Sequence, residues 1–208
     1  MIESVQVEGV FAENCYFYLD PQTRQGFIID PGAEADTLLA MISRSGVDIQ
    51  AILLTHGHFD HTGAVQELHD RLGIPYYILA GPGRQYLTNP QLNLSAGFGA
   101  PIILPDAGYF QDGDFISLPG NSQFGLRVIA TPGHTPDSVV LYSEADQAAF
   151  VGDTIFAGSP GTTQFPGGNQ ADLADSILNK VLKLPNNTTL YSGHSGPTTV
   201  GREKPNYM

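Results

Sequence analysis

Four times in this chain an apolar run breaks off into a turn that carries a histidine or an aspartate. Ala51-Ile52-Leu53-Leu54 runs into Thr55-His56-Gly57-His58-Phe59-Asp60-His61, and residues 126–130 run into Thr131-Pro132-Gly133-His134-Thr135. Residues 148–152 lead to Asp153-Thr154, and residues 188–191 lead to Ser192-Gly193-His194. Short apolar runs bounded by Gly and Pro read as buried strands. Where several strands end in such residues and helices lie between them, the expected result is sheets covered by helices, with one shared rim at the strands' carboxyl ends. Five of the six histidines fall on that rim.

The rest of the chain fits this frame. Residues 2–11, 14–20 and 26–30 read as strands of a small antiparallel opening sheet, closed by the turn Pro31-Gly32. Ala35, Leu38, Leu39 and Ile42 follow one face of a helix that Gly46 ends, and residues 49–54 form the strand that delivers the histidine cluster. Thr62 is placed to cap a helix through Leu72, followed by a strand at 75–79. Residues 81–105 are irregular yet apolar, and are expected to pack as a loop rather than to close as a lid. Further strands are predicted at 115–118 and 138–143, the latter pairing with 148–152 as a hairpin, and a helix at 171–182. Both halves carry strands and helices in similar order, so two similar α/β halves are expected to sandwich two sheets.

The 208 residues contain no linker-like stretch, which predicts one domain over 1–208. A hydrophobic content of 41% supplies a core. The formal net charge is −12, and nine Lys and Arg are scattered singly, so no basic stripe could follow phosphates or an anionic bilayer. Nucleic acid and membrane are therefore not expected as partners. Met1-Ile2-Glu3-Ser4-Val5 lacks the basic and apolar regions of a secretion signal, so a cytoplasmic protein is expected. The single cysteine, Cys15, rules out an internal disulfide and reads as a small core residue of its strand.

His56, His58, Asp60 and His61 are four metal-binding groups within six residues. Imidazole and carboxylate donors suit Zn, Fe or Mn. In an extended stretch His56, His58 and Asp60 point the same way, while His61 follows a turn and approaches from another side, so the loop can serve two neighbouring ions. His134, Asp153 and His194 share the strand-end placement. Asp30 also ends a strand and is read as a turn residue, with a place behind the metal ligands left open. His69, two turns further along its helix, is read as a surface or packing residue.

Taken together, Thr55-His56-x-His58-x-Asp60-His61, Thr131-Pro132-Gly133-His134-Thr135, Gly152-Asp153-Thr154 and Ser192-Gly193-His194 resemble the metallo-β-lactamase superfamily. The details Asn14-Cys15-Tyr16, Gly158-Ser159 and Phe165-Pro166-Gly167-Gly168 are similar to its short hydroxyacylglutathione hydrolase, or glyoxalase II, branch. The resemblance implies an α/β fold of the αββα sandwich type, two mixed sheets flanked by helices. It also implies a first metal on His56, His58 and His134, a second on Asp60, His61 and His194, and a bridging Asp153. The β-lactamases proper fit less well, since that branch typically carries a cysteine where this chain has Asp153. Two features depart from the glyoxalase II pattern. Beyond His194 only Arg202 and Lys204 are basic, and Thr162 and Gln164 stand where the short branch usually carries an Arg and an Asp. The thiol carrier is left open.

The activity so implied is metal-dependent hydrolysis of a thioester of the hydroxyacylglutathione type, with a small acyl-thiol as substrate. Two divalent ions, zinc first with iron or manganese as alternatives, would sit about 3.5–4 Å apart and share a hydroxide as nucleophile. Asp60 is the expected residual acid. A sulfur dioxygenase with one iron on His56, His134 and Asp153 is the alternative on the same scaffold, followed by hydrolysis of a lactone or another ester. A scaffold protein without turnover is disfavoured, because a purely structural tetrahedral site needs no bridging carboxylate. The sequence leaves the oligomeric state open.

Overall fold

A computed structural model describes residues 1–207 and contains two six-stranded sheets packed face to face. The first comes from the amino-terminal half: β1 (Ile2–Glu8), β2 (Ala12–Leu19), β3 (Gln25–Ile29), β4 (Asp48–Leu53), β5 (Tyr76–Leu79) and β6 (Gly108–Phe110) lie side by side in chain order. The second comes from the carboxyl-terminal half, with β7 (Phe115–Leu118), β8 (Asn121–Ala130), β9 (Val139–Ser143) and β10 (Ala148–Gly152) followed by a small pair, β11 (Ile155–Phe156) and β12 (Ser159–Pro160). Two later strands, β13 (Thr189–Ser192) and β14 (Thr198–Thr199), complete it in the order β14-β13-β10-β9-β8-β7. The opening antiparallel strands are thus one end of a mixed sheet, because β3, β4, β5 and β6 pair in parallel.

Helices cover both outer faces. α1 (Ala35–Ser45) buries Ala35, Leu38 and Ile42 and ends at Gly46, whose φ of 62° lies in the left-handed region that glycine adopts without strain. Together with α3 (Val65–Leu72) it packs its leucines against Ile28 and Ile52 of the first sheet. α5 (Gln170–Asn179) does the same for the second sheet, with Leu173 and Ile177 against Val140 and Val151. Between the sheets Tyr18, Phe27, Leu53, Leu126 and Phe150 form the middle layer. Fully burying a Leu or Phe side chain of this layer contributes about 1.5–3 kcal/mol. The architecture is the expected αββα sandwich, and among the described residues no helix is long and apolar enough to cross a membrane.

One predicted helix is broken. In place of a single helix capped by Thr62 there is a turn, α2 (Phe59–Thr62), then α3. Thr62 lies inside that turn, its hydroxyl donating to the His58 carbonyl at 3.1 Å. The cause is tertiary. The Pro31-Gly32 turn docks here, with Ala64 N donating to Pro31 O at 3.0 Å, and a Cβ on Gly63 would lie only 2.2 Å from Gly32 O. Residues 81–105 pack as expected: α4 (Pro82–Thr88) buries Tyr86 and Leu87, although Phe98 is left exposed. The predicted helix at 171–182 finishes as α helix at Asn179, and a 3-10 turn covers Val181–Lys183.

Candidate metal centre

Parallel pairing brings the strand ends to one rim. Ile29 of β3 is level with Leu53 of β4, and Gly152 of β10 is level with Ser192 of β13, so the residues after each strand emerge side by side. Val139 N donates to Thr55 O at 2.8 Å and Asn14 N to Gly193 O at 2.8 Å, which joins the two sheets at that edge. Asp153 can turn inward because Gly152 adopts φ 49°, where an added Cβ would meet Thr55 Oγ1 at 2.3 Å.

All seven predicted ligands converge there, in two triads. His58 Nδ1 lies 3.1 Å from His56 Nε2 and 3.0 Å from His134 Nε2. On the other side Asp60, His61 and His194 gather, with His194 Nε2 3.2 Å from Asp60 Oδ2. Asp153 stands between them. Its Oδ1 is 3.4 Å from His61 Nε2, and its Oδ2 is 3.6 Å from both His134 Nε2 and His194 Nε2. One expectation about orientation is corrected: Asp60 joins the second triad and does not point with His56 and His58. His58 is the last extended residue, and the helical turn that starts at Phe59 ends the strand alternation.

The donors fit a pair of metal ions. Three buried ring nitrogens about 3 Å apart cannot all be satisfied by one another's protons, while a cation with metal–nitrogen bonds of about 2.0–2.1 Å would satisfy them together. His61 Nε2 and Asp153 Oδ1 are likewise buried with no hydrogen-bond partner. Burial and the neighbouring His134 push His58 down to about 3, and burial with His61 and His58 holds His56 well below its ordinary value, so both offer lone pairs. Burial opposes ionisation of Asp153, but His61, His134 and His194 together outweigh it and hold that carboxyl well below its ordinary value.

The opposite ring nitrogens are held from behind. His134 Nδ1 donates to Thr162 O at 2.7 Å and His194 Nδ1 to Ala12 O at 2.8 Å, which fixes the tautomer that leaves Nε2 free. Asp30 is more than the turn residue its position suggests and stands behind the metal ligands: its Oδ2 is 3.1 Å from His61 Nδ1 and accepts from Thr55 Oγ1 at 2.5 Å. Its strand-end position was the signal. Glu13 is a residue the sequence reading missed, buried with both oxygens unpartnered and 3.7 Å from His61 Nδ1. His69 lies apart from the cluster, bonded to Ile74 O at 2.7 Å, and Cys15 is fully buried in β2.

The family model for the metallo-beta-lactamase superfamily matches residues 9–194, nearly the whole of this fold and all seven rim residues. The chain belongs to the metallo-beta-lactamase superfamily. Within it, the chain is 34% identical over 206 residues to the hydroxyacylglutathione hydrolase GloC of Haemophilus influenzae, an alignment covering 98% of this chain and 94% of GloC. Two solved structures are also similar. The BLEG-1 B3 metallo-beta-lactamase superposes with a TM-score of 0.91 at 35% identity, covering 99% of this chain and 97% of that one. TTHA1623, described in a di-iron-bound form, gives a TM-score of 0.85 at 32% identity, covering 97% of this chain and 96% of that one. Membership in the metallo-beta-lactamase superfamily makes the chain a metallohydrolase by family, with the histidine-rich rim as the candidate divalent-metal site.

Proposed function

We propose that this metallohydrolase cleaves thioesters of small acyl-thiols, the class to which hydroxyacylglutathione belongs. The observation that carries the reading is the pair of triads sharing Asp153, His56/His58/His134 on one side and Asp60/His61/His194 on the other. Similarity to GloC along nearly its full length supports the choice of thioester. A pair of divalent ions held by these seven residues would supply Lewis acidity to the carbonyl and lower the pKa of water.

The chain's own groups do the rest. Phe165 stands edge-on to His58 and His134, with ring centroids 5.6 and 6.3 Å away, and shields that side from water. Asp60 Oδ2 is the carboxylate oxygen nearest His194 and the position where a proton released from water would be held. A thiolate leaves without strong protonation. That suits a rim whose ion pairs are all between histidine and carboxylate, with no Lys or Arg within 4 Å of a rim carboxylate among the described residues.

The test is a panel of thioesters, lactoylglutathione included, run against protein of measured metal content, with a β-lactam added because BLEG-1 is described as a B3 enzyme. Turnover of a thioester with two metals per chain is expected. One iron per chain with oxygen consumption on a persulfide would move the assignment to a dioxygenase on His56, His134 and Asp153. Hydrolysis of the β-lactam alone would move it to a lactamase.

A further inference from the structure

Beside His194 the two sheets do not close on each other, and a cleft of about 320 Å³ opens between β1, β2 and the end of β13. Its lining departs from the pattern of the strand that forms it. Ser4 pairs with Tyr16 and Gln6 with Asn14 across the β1–β2 ladder, so Ser4 and Gln6 face the same side as Tyr16, toward the layer between the sheets. At the far end of β1, Ile2 packs into that layer, while Val5 and Val7 on the opposite face pack under the helices. Toward the metal rim the inward positions turn polar, and the space they face is open.

Apart from His194 itself the lining is uncharged and mostly polar, with no Asp, Glu, Lys or Arg in it. Asn14 Nδ2 braces the wall by donating to Ser192 O and Ser195 O at 3.0 Å each. The Tyr191 ring is fixed by stacking on Phe150 at 5.5 Å. Ser4, Gln6 and Tyr191 line the cleft, and none of the nine Lys and Arg does.

We infer that this cleft receives the thiol arm of the substrate, and that the arm is an uncharged one carrying amide or hydroxyl groups. The inference rests on the thioester reading and narrows it. His194 is the one rim residue that also lines the cleft, so an arm that leaves the sulfur past His194 reaches Ser4, Gln6, Asn14 and Tyr191, whose side chains offer donors and acceptors to its amides and hydroxyls. The carboxylates of a glutathione arm would lose water there without a cationic partner, in a protein of net charge −12.

The experiment uses thioethers, which bind without being hydrolysed and offer no thiolate to a metal. On the zinc-loaded full chain, calorimetry is expected to show S-methylpantetheine binding at least about tenfold more tightly than S-methylglutathione. Gln6→Leu and Tyr191→Phe should each weaken S-methylpantetheine by about three- to tenfold, the value of one lost hydrogen bond. Equal or tighter binding of S-methylglutathione, no binding of either thioether, or unchanged affinity in both variants would overturn the assignment. Binding without turnover of any thioester would instead sink the hydrolase reading and leave the cleft standing as a site.

Discussion

His61 Nδ1 and Asp30 Oδ2 lie 3.1 Å apart, behind the point where the second triad converges. The same carboxylate accepts the Thr55 backbone N–H at 2.8 Å, and the Thr55 hydroxyl is 3.2 Å from His56 Nδ1. One side chain therefore orients His61 directly and His56 through Thr55. Asp30→Ala is expected to lower metal affinity about 10- to 100-fold, chiefly at the site containing His61, because groups that orient metal ligands have effects of that size. Competition against a chelator of known affinity checks it. Unchanged affinity at both sites would mean that the carboxylate serves only the turn.

Gly193 packs directly against His61 and Asp153. A Cβ there would lie 2.5 Å from His61 Cε1 and 2.7 Å from Asp153 Oδ1, closer than such atoms approach. Gly193→Ala is expected to leave a folded protein that retains less than half of the normal metal and loses activity at least about tenfold. Gly97, with nothing within 4 Å of an added Cβ, is the control, and Gly97→Ala should change neither quantity. Metal analysis of the two purified variants decides the matter.

His58→Ala should abolish activity, by at least about a hundredfold, while the far-ultraviolet circular dichroism stays that of a folded sandwich. The ring contributes Nδ1 to the first triad and lies beyond the apolar clusters that hold the sheets together. Collapse of the fold on this substitution would show that the metals are chiefly structural.

What could be read from the sequence divides along physical lines. β10 and the end of β4 are legible because burial on both faces makes an apolar run, and β8 because Leu126 and Val128 alternate with exposed Arg127 up to the turn Thr131-Pro132-Gly133. That is why His134, Asp153 and His194 could be grouped with the first cluster from sequence alone. β6 and β14, of three and two residues, are too short to show a period and were missed. The break between α2 and α3 was also out of reach, since it depends on Gly32 and Gly63 meeting across the fold. Strand alternation alone points Asp60 with His56 and His58 and fails at the helical turn that starts at Phe59, whereas the family resemblance places Asp60 with His61 and His194, where it lies. Glu13 gives no local sign that its carboxylate will be buried behind His61.

Asp137 offers a prediction in pH. It is fully buried beside the turn that carries His134, and neither of its oxygens has a well-formed hydrogen bond. Burial pushes its carboxyl up to about 6, offset only in part by the nearby Thr135 hydroxyl and the backbone N–H groups of Asp137 and Gly57. The unfolded value is about 3.9, so between about pH 4 and 6 the folded state keeps a proton that the unfolded state has lost. Stability attributable to this group is therefore highest below that window and falls as pH rises through it, by about 2–3 kcal/mol once above pH 6. Asp137→Asn removes the titration. In urea denaturation of metal-free protein at pH 4.5, 5.5, 6.5 and 7.5, the variant should gain on the parent steadily up to pH 6.5 and no further. An amide that finds fewer partners than the acid would shift the whole difference by a constant without altering its slope. A difference that stays flat across the four pH values would place the Asp137 carboxyl in its ordinary range and sink the prediction.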